Sequence, residues 1–175
     1  MLRSLALFLL ATQVHATDPI ALFIEGYAGL RSVAQGEVMP IHVSTTAAKF
    51  EIEVCRLGSI RELVWKKSDV PGQAHPVPDD ASANGCRWPE SVRVPVGTEW
   101  KSGYYEVIFR ATDKGGQWTH RGSRTATSST FFIVRQAKPG QTSKILLQLS
   151  TNTYNAYNNW GGFSVYAYNS RSNNQ

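Results

Sequence analysis

The sequence lacks the motifs of several large enzyme classes. It contains no Gly-x-Ser-x-Gly elbow, no phosphate-binding Walker loop and no dinucleotide-binding fingerprint. Beyond the first sixteen residues, its histidines (His42, His75 and His120) have no metal-ligand spacing. The formal net charge of +5 is scattered rather than gathered in a basic stripe, so nucleic acid is not an expected partner. These absences favour a scaffold or binding module over a catalyst for most of the chain.

A long apolar run is missing everywhere except at the start of the chain. There, Arg3 precedes the apolar stretch Leu5–Ala11, and small residues end the segment before Thr17. This pattern is typical of a secretory signal peptide over residues 1–16 and is short for a membrane span. An uncleaved anchor is the alternative. We therefore expect a secreted or periplasmic protein with no membrane association after signal cleavage.

From Ile20 to Arg135 the chain alternates short apolar or β-branched runs with glycine and proline. No segment there sustains a 3.6-residue period over three turns. About seven short strands in this length predict a mainly β fold, an immunoglobulin-like antiparallel β-sandwich over residues 17–135. We predict a core that contains the following apolar side chains: Ile24, Val43, Ile52, Val54, Val94, Val107, Phe109 and Phe132. The polar stretch Lys114–Ser129 is predicted to be an exposed connection.

The sequence contains two cysteines, Cys55 and Cys86. In the strand predicted over Phe50–Arg56, Cys55 lies on the face opposite to the apolar side chains. An even count in an oxidising compartment favours a disulfide, which would tether the loop carrying Cys86 across the outside of the sheet. Two free thiols are the alternative.

The pattern changes after a polar linker at residues 136–143. Ile145–Leu149 is a near-continuous apolar run, typical of a strand buried on both faces as in a parallel sheet. An α/β domain is therefore predicted to begin at residue 144 and to be incomplete over residues 144–175. Residues that follow such a strand often form a ligand site.

The segment after this predicted strand is rich in tyrosine and asparagine. Tyr154 and Tyr157 are three residues apart, so they share a face if a helical turn begins there. A tyrosine can be a general acid or base, or a phenolate ligand of ferric iron. The asparagines can fix a substrate amide, while a tryptophan and a glycine provide a wall and close backbone approach. We take Asn155, Asn159, Trp160 and Gly161 as candidate substrate-binding residues. A core cap or an ordinary loop is the alternative interpretation.

The motif Thr-x-x-Ala-Tyr-Asn-x-Trp-Gly-Gly at residues 153–162, followed by Ser164-x-Tyr166, resembles the start of the catalytic domain of the N,N-dimethylformamidase β (large) subunit-like family. Upstream segments resemble the β-sandwich that precedes that domain in many family members: Glu25-Gly-Tyr27, Ser32-Val33, Gly36-Glu37, His42-Val-Ser44, Arg56-Leu-Gly58 and Trp100-Lys-Ser-Gly-Tyr-Tyr105.

This resemblance implies hydrolysis of an amide C–N bond at a ferric ion, held by two tyrosines and a glutamate in a glutamine-amidotransferase-like α/β domain. It implies a metal ligand at Tyr157, with Tyr154 as second choice, and a catalytic role for Asn158 in orienting the metal or the substrate. No acidic residue follows Asp113. The glutamate is therefore expected beyond Gln175, and the chain alone is expected to be an inactive N-terminal fragment without bound iron.

A small amide is the implied substrate, and an oligomer or a partner subunit is possible. The alternative function is that of an exported β-sandwich binding module. Its aromatic and asparagine-rich tail would recognise carbohydrate or peptide without a metal.

Overall fold

The computed structural model describes residues 21–113, 124–141, 144–146, 148–158, 160 and 164–166. The predicted signal peptide at residues 1–16 lies outside the described residues. The described part is mainly β, as predicted. Its strands are β1 (Ile24–Ala28), β2 (Ser32–Ala34), β3 (Val38–Thr45), β4 (Lys49–Leu57), β5 (Arg61–Pro71), β6 (Val92–Pro95), β7 (Gly103–Asp113) and β8 (Arg124–Arg135). Its helices are α1 (Ala81–Asn84) and α2 (Thr151–Tyr157).

The strands form two sheets that share one core. The three-stranded sheet has the order β1-β3-β6, and the five-stranded sheet has the order β2-β8-β7-β4-β5. The pairs are antiparallel except for β2 with β8, which run parallel. The antiparallel arrangement agrees with the short turns and alternating residues of the sequence.

The predicted core is confirmed. Each of the eight apolar side chains named above is buried, with no more than 3% of its surface exposed. They belong to one cluster that draws on both sheets, joined by further buried residues such as Met39 and Tyr105. The core was predicted correctly because apolar residues alternate with polar ones along the strands, and side chains at every second position of a strand point to the same face.

The strands differ from the prediction at two places. The three-residue β2 was not predicted. The connection predicted over Lys114–Ser129 is wrong in its second part, since β8 begins at Arg124. The polar start of β8 is a strand because it pairs along the whole of β7, as far as Asp113 with Arg124. Backbone pairing there does not require an apolar side-chain pattern.

The strand predicted at Ile145–Leu149 is also wrong. The described residues of this run are irregular, and Ile145 and Leu146 are 87% and 93% exposed. A strand buried on both faces needs paired neighbours and cover on both sides. Neither sheet of the described structure takes this run as a member.

The predicted disulfide is wrong, because Cys55 and Cys86 are both free thiols. Cys55 is buried in β4 opposite Glu106 of β7, in the five-stranded sheet. Cys86 follows α1 and lies two residues before Trp88, whose backbone N–H donates a hydrogen bond to the Tyr27 hydroxyl of β1, in the three-stranded sheet. The loop with Cys86 therefore packs on the three-stranded sheet, whereas Cys55 lies in the five-stranded sheet.

No helix among residues with described positions is long and apolar enough to cross a membrane.

Candidate functional site

Helix α2 lies against the outer face of the five-stranded sheet. Phe131 alternates with the core residue Phe132 and therefore points outward. The ring of Phe131 stacks on Tyr104 with centroids 4.8 Å apart and meets the ring of Tyr154 edge-on at 6.0 Å. Tyr154 thus anchors α2 to the sheet.

Tyr157 is held by the chain that returns after the helix. Its ring lies 4.7 Å from that of Tyr166, and the Ser164 hydroxyl donates a hydrogen bond to the Ala156 carbonyl at 2.9 Å. Tyr154 and Tyr157 both lie in α2, so the helical turn on which a shared face depended is present. Their rings contact different neighbours, and each side chain is about half exposed.

Trp160 ties the tail to the three-stranded sheet. Its indole Nε1 donates a hydrogen bond to Glu25 Oε2 at 3.2 Å, and its ring meets Trp88 edge-on at 6.0 Å. The side-chain oxygen of Asn158 accepts a hydrogen bond from the Trp160 backbone N–H at 3.1 Å. Asn158 therefore shapes the turn that places Trp160. Asn159 and Gly161, the other candidates in this turn, lie outside the described residues.

Trp88 is the centre of an aromatic cluster that sequence reasoning missed. Its backbone N–H donates to the Tyr27 hydroxyl at 3.1 Å, and its carbonyl lies 2.8 Å from His42 Nδ1. Tyr27 and His42 stack with ring centroids 4.8 Å apart. Burial raises the pKa of Tyr27, although its hydrogen bond from Trp88 acts in the opposite direction. The cluster pins the long loop between β5 and β6, the role that the sequence had suggested for a disulfide.

A cavity of about 330 Å³ lies between α2 and the sheet. Thr151, Tyr154 and Asn155 line it from the helix, and their i, i+3 and i+4 spacing puts them on one face. Arg31 and Arg135 line it from the sheet side. Of the predicted site residues, the cavity therefore brings together Tyr154 and Asn155. The sequence analysis did not identify the two arginines as site residues, because they are far apart in the chain and nothing in the sequence indicates that both line one cavity.

The metal-binding chemistry of the tail rests on phenols. The ring of Tyr154 packs edge-on against Phe131. Tyr157 lies farther along α2, beside Tyr166. The described residues contain no group of three or more His, Cys, Asp or Glu side chains that could hold a metal ion. Glu25, the carboxylate that contacts the tail, is engaged by Trp160. By themselves, these residues do not fit the two-tyrosine, one-glutamate iron set.

A family of known proteins matches most of the chain. The family described as N,N-dimethylformamidase beta subunit-like, C-terminal, matches residues 51–175, from the third residue of β4 through α2 and the tail. No curated protein matches the chain.

Proposed function

The chain belongs to the N,N-dimethylformamidase β subunit-like family, and from this premise we propose that it serves hydrolysis of amide C–N bonds. Its β region, proposed to be an immunoglobulin-like sandwich over residues 17–135, is the scaffold. Residues 144–175 are the opening segment of an amidotransferase-like catalytic domain. The protein is exported after removal of residues 1–16, and its substrates are small amides.

The contacts made by α2 and by the turn after it support this proposal. Tyr154 and Trp160 each contact a different sheet, through Phe131 and Glu25. These two contacts fix the helix and the turn after it on the scaffold. Tyr157 lies between them in the chain, at the end of α2, with its ring beside that of Tyr166. A phenol presented on a fixed helix is suited to become a metal ligand.

Tyr157 is therefore our first choice as metal ligand, and Tyr154 is the second. Phenolate is a hard anionic ligand that suits ferric iron. A metal bound there would act as a Lewis acid on the amide carbonyl. The glutamate ligand must come from outside residues 144–175, because the sequence has no acidic residue after Asp113. Asn158 positions the turn through the Trp160 N–H, and Asn155 and Asn159 are proposed to contact the substrate.

The test is amine release from a panel of small amides, N,N-dimethylformamide included, by the product of the complete reading frame. We expect hydrolysis in the wild type, loss of activity in Tyr157→Phe and retained activity in the matched control Tyr154→Phe, which keeps its ring on Phe131. Equal activity of Tyr157→Phe and wild type would remove Tyr157 from the catalytic site. No hydrolysis of any amide by the wild type would refute the activity.

A second candidate function rests on the exposed aromatic pair Tyr157 and Tyr166, whose ring centroids are 4.7 Å apart. Exposed aromatic faces beside amide side chains can bind carbohydrate or peptide without a metal. Under this alternative, Tyr157→Phe would keep binding and Tyr166→Ala would lose it. Screening the chain against immobilised glycans and peptides separates the two functions.

A further inference from the structure

The cavity between α2 and the five-stranded sheet has an apolar floor. Phe131 and Ile133 contribute outward side chains of β8, Ala28 lies at the end of β1, and Leu30 and Leu149 complete the floor. These side chains come from segments far apart in the chain. Two of them, Phe131 and Ile133, flank the buried Phe132 in β8 and therefore point to the outer face of the sheet. This part of the floor is carried by a strand that pairs on both sides.

Two guanidinium groups line the same cavity. Arg31 lies in the turn between β1 and β2, and Arg135 ends β8. The parallel register of β2 with β8 brings Ser32 beside Ile133, so the hydroxyl of Ser32 accepts a hydrogen bond from Arg135 Nε at 3.3 Å. A bond of this kind orients the guanidinium and leaves its other N–H groups to bind a ligand.

The positive charge of the cavity is poorly balanced. No acidic side chain is among the described residues that line it. Arg135 has a long contact with Glu37, 3.5 Å between Nη2 and Oε2, in which both side chains are more than half exposed. Ion pairs between exposed side chains contribute little free energy. Within the described part of the chain, the Arg31 side chain has no hydrogen-bond or ion-pair partner.

The opposite wall is polar and neutral. Thr151, Tyr154 and Asn155 present two hydroxyls and an amide from one face of α2. The volume of about 330 Å³ is near the lower end of the range for small-molecule sites. Cations are disfavoured by the two guanidiniums, and inorganic anions leave the apolar floor uncovered.

We propose that this cavity binds a small organic carboxylate. The carboxylate accepts hydrogen bonds from Arg31 and Arg135, and its apolar body lies on Phe131 and Ile133. Arginine forks match carboxylates in geometry as well as in charge. The cavity shares Tyr154 and Asn155 with the proposed active site. The carboxylate itself is held by Arg31 and Arg135, and Tyr157, the first choice as metal ligand, does not line the cavity, so its binding can be tested independently of hydrolysis.

Calorimetric titration of the full chain with benzoate tests this proposal, with the neutral isostere benzamide and with inorganic phosphate as comparisons. We expect benzoate to bind more tightly than either. Arg31→Gln should weaken benzoate binding roughly tenfold, the effect of losing one charge-assisted hydrogen bond. The matched control is Arg93→Gln, which removes an exposed arginine on β6 of the three-stranded sheet, where Arg93 pairs with Glu90 of the preceding loop. Its affinity for benzoate should equal that of the wild type.

Salt provides a measurement that needs no variant. Because the site is open to solvent, raising the ionic strength should weaken benzoate binding by the wild type and leave benzamide unaffected. The proposal is overturned by equal binding of benzoate and benzamide, by equal binding of phosphate, or by equal effects of Arg31→Gln and Arg93→Gln. Absence of benzoate binding by the correctly folded wild type, checked by circular dichroism, also overturns it.

Discussion

Replacing Gly26 by alanine tests how closely β1 packs on the five-stranded sheet. A Cβ added at Gly26 would lie 2.8 Å from both Cε2 and Cζ of Phe109 and 2.9 Å from the His42 carbonyl oxygen. Carbon atoms in favourable contact are about 3.5–4.0 Å apart, so the methyl group overlaps the ring by about 1 Å. Neither neighbour can move easily. Phe109 is fully buried, and His42 belongs to the paired strand β3.

The expected cost follows from these two constraints. Overpacking of a tight core costs about 1–3 kcal/mol. The reduced backbone entropy of alanine in the unfolded chain offsets about 0.4–1 kcal/mol of this. We therefore expect Gly26→Ala to lower the free energy of unfolding by about 1–2 kcal/mol. For a chain of this size, Tm should fall by roughly 2–8 °C.

Urea denaturation followed by tryptophan fluorescence measures this change. The midpoint should fall with an unchanged m-value. Gly58→Ala is the matched control, because the nearest atom to its new Cβ is the flexible end of Arg56 at 2.9 Å. Its effect should stay within about 0.5 kcal/mol. The double variant Gly26→Ala with Phe109→Leu should cost less than the sum of the two single changes. Equal stabilities of Gly26→Ala and Gly58→Ala would refute the close packing.

Three further outcomes are expected. Trp160→Ala removes the contacts that tie the tail to the three-stranded sheet, so amide hydrogen exchange in α2 should become up to roughly tenfold faster, and unchanged exchange would contradict that docking. The hydrogen bond from Arg110 lowers the pKa of Glu53 in the folded state, so the stability it contributes is present above the ordinary carboxyl pKa and is lost as pH falls through the lowered value. Acidification from about pH 5 to pH 3 should therefore cost the wild type more stability than Glu53→Gln, and equal losses would show that the pair is not coupled to folding. Thiol titration in denaturant without reductant should find both Cys55 and Cys86 free, whereas no reactive thiol would mean that they are bridged.

The core could be predicted because alternation in a strand reports directly which face is buried. Ile52 and Val54 of β4, and Val107 and Phe109 of β7, follow this rule and are fully buried. β2 could not be found in the same way. It has three residues, too few to show a period, and it exists because it pairs with β8 from a distant part of the chain.

The tail shows the limits of composition. The apolar run at Ile145–Leu149 resembles a buried strand, but burial depends on partners that a single run does not reveal. The helical spacing of Tyr154 and Tyr157 could be recognised locally and was correct. The positions of Arg31 and Arg135 at the cavity could not be recognised in this way, because only tertiary packing brings the β1–β2 turn beside the end of β8.

Iron content of the product of the complete reading frame tests most directly whether Tyr157 is a metal ligand of an amide hydrolase. We expect stoichiometric iron and a phenolate-to-iron charge-transfer absorption band in the wild type and in Tyr154→Phe. Both signals should disappear in Tyr157→Phe. Iron content and absorption that are unchanged in Tyr157→Phe would contradict the proposal.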